Sequence, residues 1–137
     1  FGYSILYNHI ATALQIQGLN PQTGIYHVSS NRYFPLASDI QEEFRHIVDS
    51  AVHYSVQRNM VKKEDFTFNK DRFYPCLMNY DFRNKFIAVI EERLKIVFQN
   101  PATAKQITYL NFIHFQARKI KEAVRNKKMI YTPLRIR

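Results

Sequence analysis

Five residues between positions 39 and 53 carry most of the chemical potential of this sequence. Asp39, Glu42, His46, Asp49 and His53 follow one another at spacings of 3, 4, 3 and 4, which on a helix places them in one stripe. A solvated polar face is the ordinary reading of such a stripe. Solvated faces usually mix Lys with Glu, however, and this one has no Lys; crowded carboxylates repel unless a cation or a protonated neighbour offsets them. Surface and metal-binding face therefore both stand. Carboxylates suit hard cations, and one imidazole among them shifts the preference toward Mn²⁺ while still permitting Mg²⁺. His27, twelve residues before Asp39, could supply that imidazole. The pair Glu43 and His46 has the spacing of half a di-iron carboxylate site, but that architecture needs a second such pair and the chain has none.

A second constellation is basic. His114, Arg118, Lys121 and Arg125, spaced 4, 3 and 4, fall on one line of a helix, and Lys127 and Lys128 continue the charge beyond it. Such a ridge can lie along a phosphate backbone, fixing position without reading bases; a solubilising face is the alternative. The formal net charge of +9 is unevenly placed. Residues 1–58 hold three Arg against four acids, whereas residues 59–137 hold 17 Lys and Arg against seven acids. Within residues 100–137, nine basic residues face Glu122 alone. That asymmetry points to a polyanionic partner, because such a field attracts phosphate and releases its counterions. Charge alone does not separate DNA from RNA or anionic lipid.

The elements that must position these residues read as all-α, in one helical domain over residues 1–137. Apolar residues at 3, 6, 7, 10, 13 and 14 predict a helix over 1–17, closed near Gly18. It has no capping residue ahead of it, so the chain reads as a C-terminal piece of something longer. Ser38 and Gln41 make a capping box for a second helix over 37–59, with Ile40, Phe44, Ile47 and Ala51 inward. Residues 61–79 lack a sustained period and read as a loop or short hairpin. Helices over 81–98 and 103–126 follow, separated by Asn100-Pro101, with a basic tail over 127–137.

With 137 residues and 46% hydrophobic content the chain supports one core. It has no apolar run of membrane-spanning length and no secretory signal, which predicts a soluble cytoplasmic protein without a membrane partner. The lone Cys76 excludes an internal disulfide framework and reads as a small core residue.

The order of these blocks resembles one family. Gly18-Leu19-Asn20-Pro21-Gln22-Thr23-Gly24-Ile25-Tyr26-His27 is similar to the Gly-Leu-Asp-Pro-x-x-Gly-Phe-x-His segment of CRISPR-associated protein one, the prokaryotic endonuclease and integrase of CRISPR adaptation. Leu36-Ala37-Ser38-Asp39-Ile40-Gln41-Glu42-Glu43-Phe44-Arg45 resembles its Leu-Ala-x-Asp-Leu-x-Glu-x-Phe-Arg segment. Phe1-Gly2-Tyr3-Ser4-Ile5-Leu6 looks like its Gly-Tyr helix, and Gln116-Ala117-Arg118 and Tyr131-Thr132-Pro133-Leu134-Arg135 resemble its Gln-Ala-Arg helix and Tyr-x-Pro tail. Asn20 stands where the family has Asp, at a turn that either residue serves.

The resemblance implies that His27 and Glu42 are ligands of Mg²⁺ or Mn²⁺, with Asp39 as an auxiliary acid in the catalytic set. The family's remaining Glu ligand would fall before Phe1, as would a β-rich N-terminal domain largely responsible for dimerisation. It further implies spacer insertion at the CRISPR repeat by attack of a DNA 3′-hydroxyl on a phosphodiester, hydrolytic cleavage when water replaces that hydroxyl, a homodimer in the intact protein, and CRISPR-associated protein two as partner. The isolated piece would then be inactive. A non-catalytic helical module for DNA binding or dimerisation is the alternative.

Overall fold

The computed structural model describes residues 1–22, 24, 34–69, 73, 75–126 and 131–134. Four α-helices dominate it, joined in part by two antiparallel hairpins. Helix α1 (Gly2–Ile16) turns Leu6, Ile10 and Leu14 fully inward, and the left-handed Gly18, with φ of 72°, follows its end. It packs against both α2 (Pro35–Gln57) and the last helix.

The contact of α1 with α2 and α3 is close enough to require a residue without a Cβ. A methyl group added at Gly2 would lie 2.7 Å from Val48 Cγ1 and 3.3 Å from the Phe86 ring. Val48 is β-branched and held in few rotamers, so it cannot step aside cheaply. Gly2→Ala is therefore expected to lower stability by about 1–3 kcal/mol, read as a lower denaturant midpoint, although Ala is the better helix former. An unchanged or raised midpoint would show that the three helices can separate there without cost.

Helix α2 starts two residues earlier than the sequence reading placed it. Phe34 occupies the N-cap and Pro35 the first helical position, where a missing N–H and a fixed φ are both suited to helix entry. Ser38 thus lies inside the helix and forms no capping box; the side chain of Gln41 instead donates to the carbonyl of Tyr3 at 2.5 Å. Ile40, Phe44, Ile47 and Ala51 are buried as expected, joined by Val48.

After a 3₁₀ turn (Lys63–Asp65), strands β1 (Phe66–Phe68) and β2 (Cys76–Met78) pair in the register Phe66↔Met78, Thr67↔Leu77 and Phe68↔Cys76. Cys76 is exposed at this hairpin rather than buried in the core. Helix α3 (Tyr80–Leu94), capped by Asn79 accepting from the Phe82 N–H at 2.8 Å, buries Phe82, Phe86, Val89, Ile90 and Leu94.

The sequence reading carried α3 to residue 98 and opened the last helix at 103. The structure puts a hairpin there: β3 (Val97–Gln99) pairs with β4 (Gln106–Thr108). Two local features account for it. Val97 and Phe98 are strand-favouring, and Pro101 cannot continue a helix. The buried Asn100 organises the turn, its side chain accepting from the Ala102 N–H at 2.9 Å, and Ala104 sits at φ 57°. Helix α4 (Tyr109–Arg125) begins only after this, capped by Thr108, and buries Phe112, Ile113, Gln116, Ala117 and Ile120. Val124, near the end of α4, is 61% exposed.

Candidate metal centre and nucleic-acid face

Asp39 and Glu42 both lie in the first half of α2, three residues apart and so on one side of it. Their approach is fixed from α1. Tyr7 stacks on Phe34, with ring planes 1° apart, and its hydroxyl accepts from the Phe34 N–H at 2.5 Å, which pins the residue entering α2. Asp39 is half-buried and Glu42 exposed. Arg45 Nη1 donates to both Glu42 oxygens at 3.2 Å. His27, Lys127 and Lys128 lie outside the described residues.

The five-residue stripe divides in the structure. Asp49 is exposed and accepts from the Tyr3 hydroxyl at 2.5 Å, and His53 is exposed. His46 turns instead toward α4, its ring centroid 5.0 Å from that of Tyr109. Burial lowers its pKa, against the opposing pull of the Glu43 carbonyl and the Asp49 charge. Its Nε2 is enclosed and has no hydrogen-bond partner among the described residues. His46 is therefore part of the helix packing and not of a solvent-facing ligand row.

Glu43, one residue beyond Glu42, turns toward α4 and residues 131–134. Its carboxylate accepts from the Tyr131 hydroxyl, from Gln116 Nε2 at 2.9 Å and from the Leu134 N–H at 2.8 Å. Gln116 Nε2 also donates to the Thr132 carbonyl at 3.2 Å. Burial raises the Glu43 pKa, and these hydrogen bonds only partly offset it; burial, then the adjoining carboxylate, pushes the Tyr131 phenol upward too. The two halves of the Glu43–His46 pair thus have separate packing partners. This carboxylate, joining α2, α4 and residues 131–134, is a feature that sequence spacing did not reveal. Its only sequence signal is a Gln on the inward stripe of α4.

Arg118, Lys121 and Arg125 are exposed along α4, with His114 half-buried. Arg118 lies 3.9 Å and Lys119 3.3 Å from Glu122, so the acid is engaged by two cations. Lys121 and Arg125 have no ion pair among the described residues. At about 100° per residue, the ridge sits roughly 140–200° around α4 from Gln116, the residue facing Glu43. The ridge and the Asp39–Glu42 face are therefore separate surfaces.

The donors on α2 are carboxylate oxygens on adjoining helical turns, the chemistry a small hard cation takes. No group of three or more metal-type side chains converges among the described residues.

The model of the family described as CRISPR associated protein Cas1 matches residues 1–92. The chain belongs to the Cas1 family. A Cas1 protein of Methanobrevibacter ruminantium is 32% identical over 125 residues, covering 90% of this chain and 38% of that protein. The Cas1 endonuclease of Clostridium perfringens is 27% identical, covering 88% of this chain and 36% of its relative. The chain thus spans less than two-fifths of the length of these Cas1 relatives. Among solved structures, a casposase bound to its integration product superposes with a TM-score of 0.86 at 24% identity, over 96% of this chain and 35% of that one. A Cas6-RT-Cas1–Cas2 complex matches with a TM-score of 0.76 at 30% identity, over 93% of this chain and 14% of that one. The helical architecture is thereby that of the Cas1 C-terminal region. No described helix is long and apolar enough to cross a membrane.

Proposed function

We propose that this chain is the C-terminal catalytic part of a divalent-cation-dependent DNA integrase and endonuclease of CRISPR adaptation. Glu42 and His27 would hold the cation, Mg²⁺ or Mn²⁺, with Asp39 orienting His27 or the attacking hydroxyl. The observation that carries the reading is the exposed Glu42 carboxylate beside Asp39 on the helix that the family motif spans. Held by Glu42 and His27, such a cation would supply positive charge for the negative charge that builds on the phosphoryl and leaving oxygens when a DNA 3′-hydroxyl attacks a phosphodiester of the CRISPR repeat. A further ligand and the dimerising domain would come from the rest of the protein.

The residues of this chain supply three things. The α1–α2 contact fixes where Glu42 projects; the basic ridge of α4 holds phosphates away from the reacting one; and the apolar core keeps both surfaces in register. Cas2 in one structural relative and a bound integration product in another support a DNA substrate and a Cas2 partner for the intact protein; its proposed working state is a homodimer.

Strand transfer into a plasmid carrying a CRISPR repeat tests this reading. The intact protein is expected to form branched product with Mn²⁺ or Mg²⁺, to lose it on adding EDTA, and to regain it when the ion is restored, with DNA retention on a gel persisting throughout. Product formed equally well in EDTA would exclude the proposal, as would restoration by neither ion.

A further inference from the structure

Glu42 is more than half exposed, and an exposed glutamate is free about three torsions, yet a ligand must return to one place. Its partner among the described residues, the Arg45 guanidinium, is itself 51% exposed, and an isolated surface pair of this kind orders little. The guanidinium is not isolated. Its Cζ lies 5.0 Å from the centroid of the Tyr3 ring, within the range at which an aromatic face attracts a cation. Tyr3 in turn is tied to α2 at two points on either side of Arg45. Its carbonyl accepts from Gln41 Nε2 at 2.5 Å, and its hydroxyl donates to Asp49 Oδ1 at 2.5 Å.

From this chain of contacts we infer that Tyr3 is a positioning residue for the metal ligand Glu42, acting through Arg45. The inference rests on the reading of Glu42 as a ligand. Residues 41 and 49 lie about 12 Å apart along the helix, so one bond holds the Tyr3 backbone and the other its hydroxyl along the stretch of α2 that carries Glu42 and Arg45. The braced ring limits where the guanidinium can go. The guanidinium sets its Nη1 3.2 Å from both Glu42 oxygens. A carboxylate has about four lone-pair positions, so that one nitrogen leaves room for a cation on the same group. Outer partners of this sort change metal affinity by about 10–100-fold when they contact the ligand directly; Tyr3, one contact further out, should have a smaller effect.

The test is Mn²⁺ binding to the intact protein without DNA, followed through the electron paramagnetic resonance of the free ion. Tyr3→Leu removes the ring while leaving every charge in place, and it is expected to weaken Mn²⁺ binding by about 3–10-fold. Tyr3→Phe keeps the ring beneath the guanidinium but loses its bond to Asp49, so it should recover part of that affinity. The two variants differ in hydroxyl and shape, so thermal unfolding is measured alongside. If Tyr3→Leu unfolds, Tyr3→Ile and Tyr3→Met are measured in its place, with the same expected weakening. A folded ring-deleted variant with unaltered Mn²⁺ affinity overturns the inference, and so does a Tyr3→Phe affinity as weak as the ring deletions. Glu42→Gln in the same titration separates the two levels. If it weakens binding and the ring deletions do not, only the role of Tyr3 fails; if Glu42→Gln leaves affinity unchanged, the ligand reading fails and the inference with it.

Discussion

Glu42→Ala in the intact protein is expected to reduce strand transfer by about 10²–10³-fold while changing DNA affinity by less than about threefold. A catalytic cation contributes several kcal/mol of transition-state charge stabilisation, and each 1.36 kcal/mol is a factor of ten in rate. Glu42 is exposed and contacts the side chain of Arg45 rather than the core, so its removal leaves the fold intact. Unfolding midpoints of variant and wild type should agree to within the effect of an ordinary surface substitution. Glu42→Gln should lose nearly as much activity, because the amide keeps the shape but surrenders the charge. A Glu42→Ala protein that retains at least a tenth of wild-type activity contradicts its role as a ligand.

Its neighbour should behave in the opposite manner. Glu43→Ala is expected to destabilise the protein by about 2–4 kcal/mol, since it strips the acceptor from the buried Gln116 amide, the Tyr131 hydroxyl and the Leu134 N–H at once. Some of that is regained if residues 131–134 leave α4 and reach water, so hydrogen exchange at Leu134 should accelerate in the variant. Glu43→Gln, which resembles the protonated acid, should cost less. The pH dependence follows from burial having raised the Glu43 pKa. Between the unfolded and folded pKa values the native state holds more protons than the unfolded one, so the Glu43 contribution to stability falls as pH rises through that window. Glu43→Gln lacks this slope and should gain on the wild type as pH rises from about 4.5. Denaturant titrations of both proteins across that range measure it; a difference that does not change with pH would mean that Glu43 is not held in a desolvated site.

How much of this was legible in the sequence differs from residue to residue. Ile40, Phe44, Ile47 and Ala51 repeat at helical spacing, and the burial of that stripe is what makes α2 a helix, so pattern and structure coincide there. The hairpin at residues 97–108 was hidden because Val97 and Ile107 also fit helical stripes when read singly. What decides against a helix is tertiary: Phe98 packs between Tyr109 at 4.5 Å and Phe112 at 5.2 Å. The start of α2 was displaced because Ser38 offers a cap in principle, whereas Pro35 offers a fixed φ that acts earlier in the chain.

The site shows the same division. Spacing puts Asp39 and Glu42 on one side of a helix whatever surrounds it, and the two are found so. Spacing also put His46 in that row, but its ring is claimed by Tyr109 on another helix, which no period within α2 can reveal. Glu43 is the converse case. It reads as one more acid on an acidic helix, and the approach of Gln116 on α4 and of residues 131–134 makes it a part-buried acceptor.

An anomalous-difference map from a crystal of the intact protein soaked in Mn²⁺ tests the central claim most directly. A peak is predicted within coordination distance of the Glu42 carboxylate and of a His27 ring nitrogen, roughly 2.0–2.4 Å from each, and absent from a Glu42→Gln crystal treated identically. A protein active with Mn²⁺ whose peak lies away from Glu42, or whose peak survives Glu42→Gln, would contradict the assignment.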